Sequence, residues 1–237
     1  MSEWSLKRFW TATEIGASDT GFLVTLDGRQ VKTPAKADLV LPTRAMAEAV
    51  AAEWDAQDGQ VNPLTMPFTR SANAAIDKVR HQHEQVATLI SDYADSDLLC
   101  YRASRPASLV ALQVERWDPM LDWAEGALAA RLQIRTGLMH EAQDPEVLAR
   151  LRDRTRAMSE FELAAFHDLV GMSGSIIIGF AVALDEIEAE RGWALSRLDE
   201  IWQAEQWGRD EEAEEVASQK GKSFVHAKAF FDVSRQS

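Results

Sequence analysis

The sequence predicts an α+β fold, with a small N-terminal domain of antiparallel β-hairpins and helices followed by a helical domain. Two observations carry this. Asp27-Gly28 lies between two β-prone runs near the start of the chain, and that pair suits a type I′ hairpin, whose two central residues both need positive φ. Beyond Pro106 such signals stop, and apolar residues recur at the three- and four-residue spacing of amphipathic helices. With 237 residues, 46% of them apolar and eight of them Trp, the chain has material for one large core or two small ones.

Taken in order, Phe22-Leu-Val-Thr-Leu26 and Gln30-Val-Lys-Thr33 are the strands flanking the turn. Lys7 to Thr13 is expected to be their upstream partner, and Asp38-Leu-Val-Leu41 a short strand stopped by Pro42. Thr43 opens a helix in which Met46, Ala47, Val50, Ala51 and Trp54 share one face. Asn62 to Phe68, with two prolines, should be extended or turned. A long helix is expected from Thr69 to about Thr88, with another to about Ser96. Asp97 to Arg102 reads as a strand returning to the sheet.

The second half reads as helices over Leu109–Trp117, Pro119–Arg131, Pro145–Met158, Glu160–Val170, Gly174–Asp185, Leu195–Trp207 and Asp210–Val233. Asp144-Pro145 offers an N-cap before a proline at the first helical position. Ser159 with Glu162 forms a capping box. Gly171 and Gly208 stand where helices should stop. The expected division is an N-terminal domain over 1–105 and a helical domain over 106–237.

The charge balance, 25 basic against 38 acidic residues, argues against a nucleic-acid partner, which needs basic surface to displace counterions from phosphate. A single cysteine, Cys100, excludes an intrachain disulfide framework and a CxxC zinc site, and fits a reducing compartment. The most apolar run, Ser175 to Leu184, is about half the ~20 residues that a bilayer crossing needs, so it reads as a buried helix. Met1 to Trp10 lacks the apolar stretch of a signal peptide. The expected location is cytoplasmic, without membrane insertion.

Catalytic and cofactor motifs are weak throughout. His81 and His83, two apart on a helix, point in opposed directions and cannot share a metal. His167-Asp168 and His140-Glu141 are the pairs an enzyme would use, yet His167 reads more simply as a capping or core-edge histidine, and the sequence places no partner for His140-Glu141. Cys100, between Leu99 and Tyr101, reads as buried packing. Gly221-Lys222-Ser223 ends like a phosphate-binding loop, but Val216 occupies the place of the required first glycine. No catalytic residue, cofactor or metal ligand is expected.

Carboxylates are the stronger lead. Eight acidic side chains, among them Glu200, Glu205, Asp210 and Glu211, lie between Arg197 and Glu215 against two arginines. Leu198, Ile201 and Trp202 form an apolar stripe that leads to Glu205. Glu205 is therefore expected at the rim of the core or lining a groove, and Glu200 points roughly the other way. Glu211 to Glu215 can be read as a solvated face.

Several ordered segments resemble one family, the assembly chaperones of the F-type ATP synthase that bind its newly made α subunit (the Atp-twelve family). The matching pieces are Arg8-Phe9-Trp10, Leu26-Asp-Gly-Arg29 with Thr33-Pro34, Leu41-Pro-Thr43, Glu53-Trp54 with Gln57, and Met66-Pro67 with Thr69. Further on come Asp97-Leu-Leu99, Tyr101-Arg102, Gln113, Trp117-Asp-Pro119, Ser175-Ile-Ile177, and Ser196-x-Leu198 leading to Glu200, Gln203 and Trp207-Gly208. The resemblance implies an orthogonal helical bundle behind the α+β domain and a non-catalytic protein. It also implies a partner, the free α subunit, whose β-facing surface is covered until β arrives.

By resemblance Glu200 falls on the family's glutamate, so the helix-face argument and the resemblance nominate different carboxylates. The candidate partner-binding residues are Glu200, Gln203, Glu205, Asp210 and Glu211, with Trp54 and Trp207 expected to lock helices. The free chain is expected to be a monomer. A general holdase with no dedicated client, and a small metabolic enzyme, are the alternative functions.

Overall fold

A computed structural model describes residues 7–137 and 139–236. Residues 1–6, part of the stretch read for a signal peptide, lie outside the described residues. The chain forms two compact units that alternate along the sequence. One holds residues 7–83, Ser159–Ala165 and 229–236; the other holds Glu84–Met158 and Phe166–Lys228.

In the first unit, β1 (Thr13–Ser18) pairs antiparallel with β2 (Gly21–Leu26), which carries β3 (Arg29–Gln30) at one end and β4 (Val40–Leu41) at the other. The hairpin turns at Asp27 and Gly28, at φ 48° and 77°, as the type I′ reading requires. The expected strand over Lys7–Thr13 begins only at Thr13. The Asp27 carboxylate takes the amides of Thr11 and Ala12 at 3.1 and 2.8 Å, so those donors do not enter a ladder.

Helix α1 (Arg44–Asp55) lies against β1 and β2 and buries Met46, Ala47, Val50 and Ala51. Thr43 caps it, its hydroxyl oxygen accepting from the Met46 amide at 3.1 Å. The turned segment ends early, because α2 (Pro67–Asp77) starts on Pro67. The expected long helix is interrupted at Lys78, where φ is −123° and one carbonyl accepts from both His81 and Gln82. Helix α3 (His83–Ser91) follows.

In the second unit, Asp97–Arg102 does not return to the hairpin sheet. Its central residues Leu98–Cys100 form a 3₁₀ turn, because Asp97 takes the Leu99 amide and Arg102 donates to the Leu99 carbonyl. Only β5 (Tyr101–Arg102) is extended, and it pairs parallel with β6 (Arg135–Thr136). The two helices expected around Pro119 are one, α4 (Ala107–Leu128), whose buried face continues through Trp117, Met120, Leu121, Ala124 and Leu128. That continuous burial outweighs the single hydrogen bond a proline withdraws.

Helices α5 (Pro145–Arg156) and α6 (Glu160–Ser173) begin at the expected caps: Asp144 accepts from the Glu146 amide at 2.8 Å, and Ser159 and Glu162 exchange amide bonds. Gly171 lies inside α6, and the stop is Gly174 at φ 70°. All eight residues of α7 (Ile176–Ala183) are buried, as the apolar run predicts. Among the described residues no helix is long and apolar enough to cross a membrane.

The helix expected over Leu195–Trp207 is two, α8 (Ala189–Ser196) and α9 (Leu198–Trp207), and the chain ends in α10 (Glu211–Arg235). The break has a cause far away in sequence. The Leu195 carbonyl, which would accept the Asp199 amide in an unbroken helix, accepts the Trp117 indole N–H at 2.9 Å and the Arg197 amide. Close packing of α8 needs Gly192, since a Cβ there would sit 2.5 Å from Val182 Cγ2. Gly192→Ala is expected to cost about 1–3 kcal/mol by overpacking, seen as a lower urea midpoint.

Candidate functional site

The acidic segment is carried by α9 and the first turns of α10, and α4 holds it in place. Besides the Trp117–Leu195 bond, the Gln113 amide group donates to Asp199 at 2.8 Å while its carbonyl oxygen accepts from the Ala103 amide at 2.9 Å. Gln113 is 1% exposed, so both ends of a buried amide are satisfied and α9 is fixed at its first turn. Gly208, at φ 98°, ends α9 as expected.

Helix α10 starts under Asp210, whose carboxylate accepts from the amides of Glu212 and Ala213 at 3.0 and 3.2 Å. Glu211, Glu212 and Glu214 occupy the first turn, where the positive end of the helix dipole favours carboxylates. Further along, Gly221 lets the Trp193 indole approach to where a Cβ would stand, 2.8 Å from Nε1, and Phe224 closes on the same ring at 5.8 Å.

Between these elements and the end of α6 lies an open cleft of about 700 Å³. Trp193, Arg197 and Glu200 line one side, and Asp210, Val216 and Lys220 of the α10 segment line the other. Arg197 sits over the Trp193 ring at 5.8 Å and pairs with Glu200 at 2.6 Å. This is an open surface cleft whose lining carries both acidic and basic side chains beside apolar ones.

The candidate carboxylates separate here. Glu200 and Asp210 face the cleft; Gln203, Glu205 and Glu211 are exposed and do not line it. The groove position argued for Glu205 therefore does not hold for this cleft, and the stripe behind that argument fades outward. Leu198 is buried and Trp202 half-buried, but Ile201 is 41% exposed. Trp207 is 76% exposed, so it does not lock a helix, contrary to expectation. Trp54 does, resting on Trp10 with ring centroids 5.4 Å apart. The exposed aromatic face of α9 is what the sequence reading missed. A Trp next to the terminal glycine of an otherwise polar helix end was the available signal.

The histidines form no shared site among their described contacts. His167 pairs with its neighbour Asp168 at 3.1 Å, which raises its pKa. His140 pairs with Asp95 at 3.2 Å and with the Tyr101 hydroxyl at 3.2 Å, whereas Glu141 pairs with Arg135. Neither histidine lines the cleft. Gly221-Lys222-Ser223 is helical, inside α10, and cannot wrap a phosphate. Burial pushes the Cys100 thiol pKa up, which keeps it protonated and unreactive. Among the described residues no group of three or more His, Cys, Asp or Glu could hold a metal ion.

The profile of the ATP12 chaperone protein family matches residues 7–125, half of the chain. The chain belongs to the ATP12 chaperone family. It is 45% identical to Atp12 from Paracoccus denitrificans, whose crystal structure superposes with a TM-score of 0.96 over 98% of this chain and 100% of that one. A point mutant of that protein agrees equally, at 45% identity and a TM-score of 0.96 over 99% of this chain and all of the other. The mitochondrial Atp12 protein of Schizosaccharomyces pombe is 27% identical over 95% of this chain and 81% of its own length.

Most residues that carry the ATP12 resemblance turn out to be internal fasteners. In the first unit, Arg8 donates to the carbonyls of Asp55 and Gln57, and the Gln57 side chain bonds Glu53 and Asn62. Glu53 caps α2, accepting from the amides of Phe68 and Thr69 at 2.7 and 2.8 Å; burial raises its pKa against those bonds. In the second unit, Asp97 binds the start of α7. Remove these fasteners from the shared motifs and what stays on the surface near the C-terminus is Glu200, Gln203 and Trp207.

Proposed function

We propose that this ATP12-family chaperone is an assembly factor of the F-type ATP synthase that holds the free α subunit and shields its β-facing surface until β arrives. It acts by covering, without catalysing a reaction. The carrying observation is that Glu200, Gln203 and Trp207 are exposed, while the other shared motif residues described above bond within the fold. Gln203 and Trp207 do nothing for the interior, and Glu200 is tied only to its neighbour Arg197 at the cleft, so all three can meet a client. Glu205, Asp210 and Glu211 extend the same acidic face.

The physics of the task fits such a surface. A free α subunit exposes apolar area meant for β, which is an aggregation hazard. Carboxylates around a cleft steer toward basic client residues and speed encounter more than they tighten binding. Release then needs only that β bind α more strongly. The test is co-purification with α alone and then with α and β together, with loss of this chain from α in the second case expected. Charge reversal at Glu200 and at Glu205 separately should weaken protection of α from aggregation severalfold at low salt. Wild-type protection by both variants removes the acidic face from the mechanism, and equal protection of unrelated aggregating proteins makes the chain a general holdase.

A further inference from the structure

We infer that the half-buried indole of Trp202 and the exposed indole of Trp207, with Glu205 between them in sequence, form a recognition surface for an arginine-bearing client segment. The inference deepens the client-holding function and rests on it. The two rings meet edge to face, with centroids 5.7 Å apart and planes at 89°. An aromatic pair at the end of a helix, one member 76% exposed, contributes little to a core and leaves π faces open to a partner. Ile201, also exposed, adds aliphatic surface. Glu205 stands three residues after Trp202, on the same side of α9.

Charge decides the occupant. Four of the eight carboxylates in this segment already have work: Asp199 accepts from Gln113, Glu200 pairs with Arg197, Glu214 pairs with Arg209, and Asp210 caps α10. Glu205, Glu211, Glu212 and Glu215 form no ion pair among the described residues. Glu205 places uncompensated negative charge on the Trp202 side of α9, which repels acidic and phosphate-bearing partners and attracts cations. A guanidinium satisfies both features at once, stacking on the Trp202–Trp207 pair and forking to Glu205 on the Trp202 side; an ammonium does so less well.

The test titrates the full chain with three peptides of equal length, alternating leucine with arginine, lysine or glutamate, followed by calorimetry. The arginine peptide should bind at least about threefold tighter than the lysine one, and the glutamate peptide should not bind. Trp202→Ala with Trp207→Ala should lower arginine-peptide affinity at least about tenfold. Trp207→Ala alone, at an exposed site that folding does not need, should lower it severalfold, and Trp207→Phe should retain most of it. Unchanged affinity in Trp207→Ala, or equal affinity for arginine and lysine peptides, overturns the inference. So does a wild-type dimer that Trp207→Ala dissolves, since a second copy would then be the occupant. A parallel capture assay on purified α subunit separates the two claims. If wild type and the double variant hold α equally, the arginine surface falls and the chaperone function stands. If wild type does not hold α while peptide binding still depends on the indoles, the reverse is true.

Discussion

Asp97→Ala is expected to destabilise the protein by about 3–5 kcal/mol, at the upper end of single substitutions. Asp97 is 0% exposed. Its carboxylate accepts from the Leu99 amide at 2.9 Å, the Ser175 hydroxyl at 2.9 Å and the Ile177 amide at 3.1 Å. Alanine leaves those buried donors without an acceptor, and each orphan costs about 1–3 kcal/mol. The carboxylate also stands at the N-terminus of α7, where the helix dipole favours negative charge. Asp97→Asn retains one acceptor and turns N–H groups toward N–H groups, so it should fall between alanine and wild type.

The pH dependence has a definite sign. Burial outweighs the hydrogen bonds and raises the Asp97 pKa from 3.8 to about 6. Between those values the folded state binds more protons than the unfolded chain, so this group's contribution to stability declines as pH rises from about 4 to 6 and is level above that. The stability gap between wild type and Asp97→Asn should therefore widen by about 1 kcal/mol from pH 7 to pH 5. Urea denaturation of both proteins at the two pH values measures it. A gap that is constant, or wider at pH 7, rules out this charge as the source.

What could be read from the sequence was local. The type I′ turn follows from Asp27-Gly28, and the starts of α1, α5 and α6 follow from Thr43, Asp144-Pro145 and Ser159 with Glu162, because each cap bonds within four residues of itself. What could not be read depends on partners distant in sequence. Asp97 bends its own segment away from a strand by capping a helix that begins 79 residues later. Strand β5 is short because its partner is β6, whose existence no periodicity announces. The candidate site divides the same way. Glu200 was nominated through the shared motif alone, and the exposed face carrying Trp207 was hidden because tryptophan is ordinarily core material.

Trp117 is where fold and function should separate. The ring is 1% exposed, lies under Arg102 at 5.3 Å, and donates to the Leu195 carbonyl. Trp117→Ala should cost about 3–5 kcal/mol as a core cavity. Trp117→Phe fills most of that volume and removes the pyrrole edge with its N–H, costing about 1–3 kcal/mol, and it is the informative variant. With its indole partner gone, the Leu195 carbonyl can accept the Asp199 amide, which joins α8 to α9 and swings Trp202, Glu205 and Trp207 to a new direction. Hydrogen exchange at the Asp199 amide should slow in Trp117→Phe, and capture of the α subunit should drop although every surface residue is intact. Capture at the wild-type level, alongside slowed exchange at Asp199, would mean that the orientation of α9 is immaterial to the client.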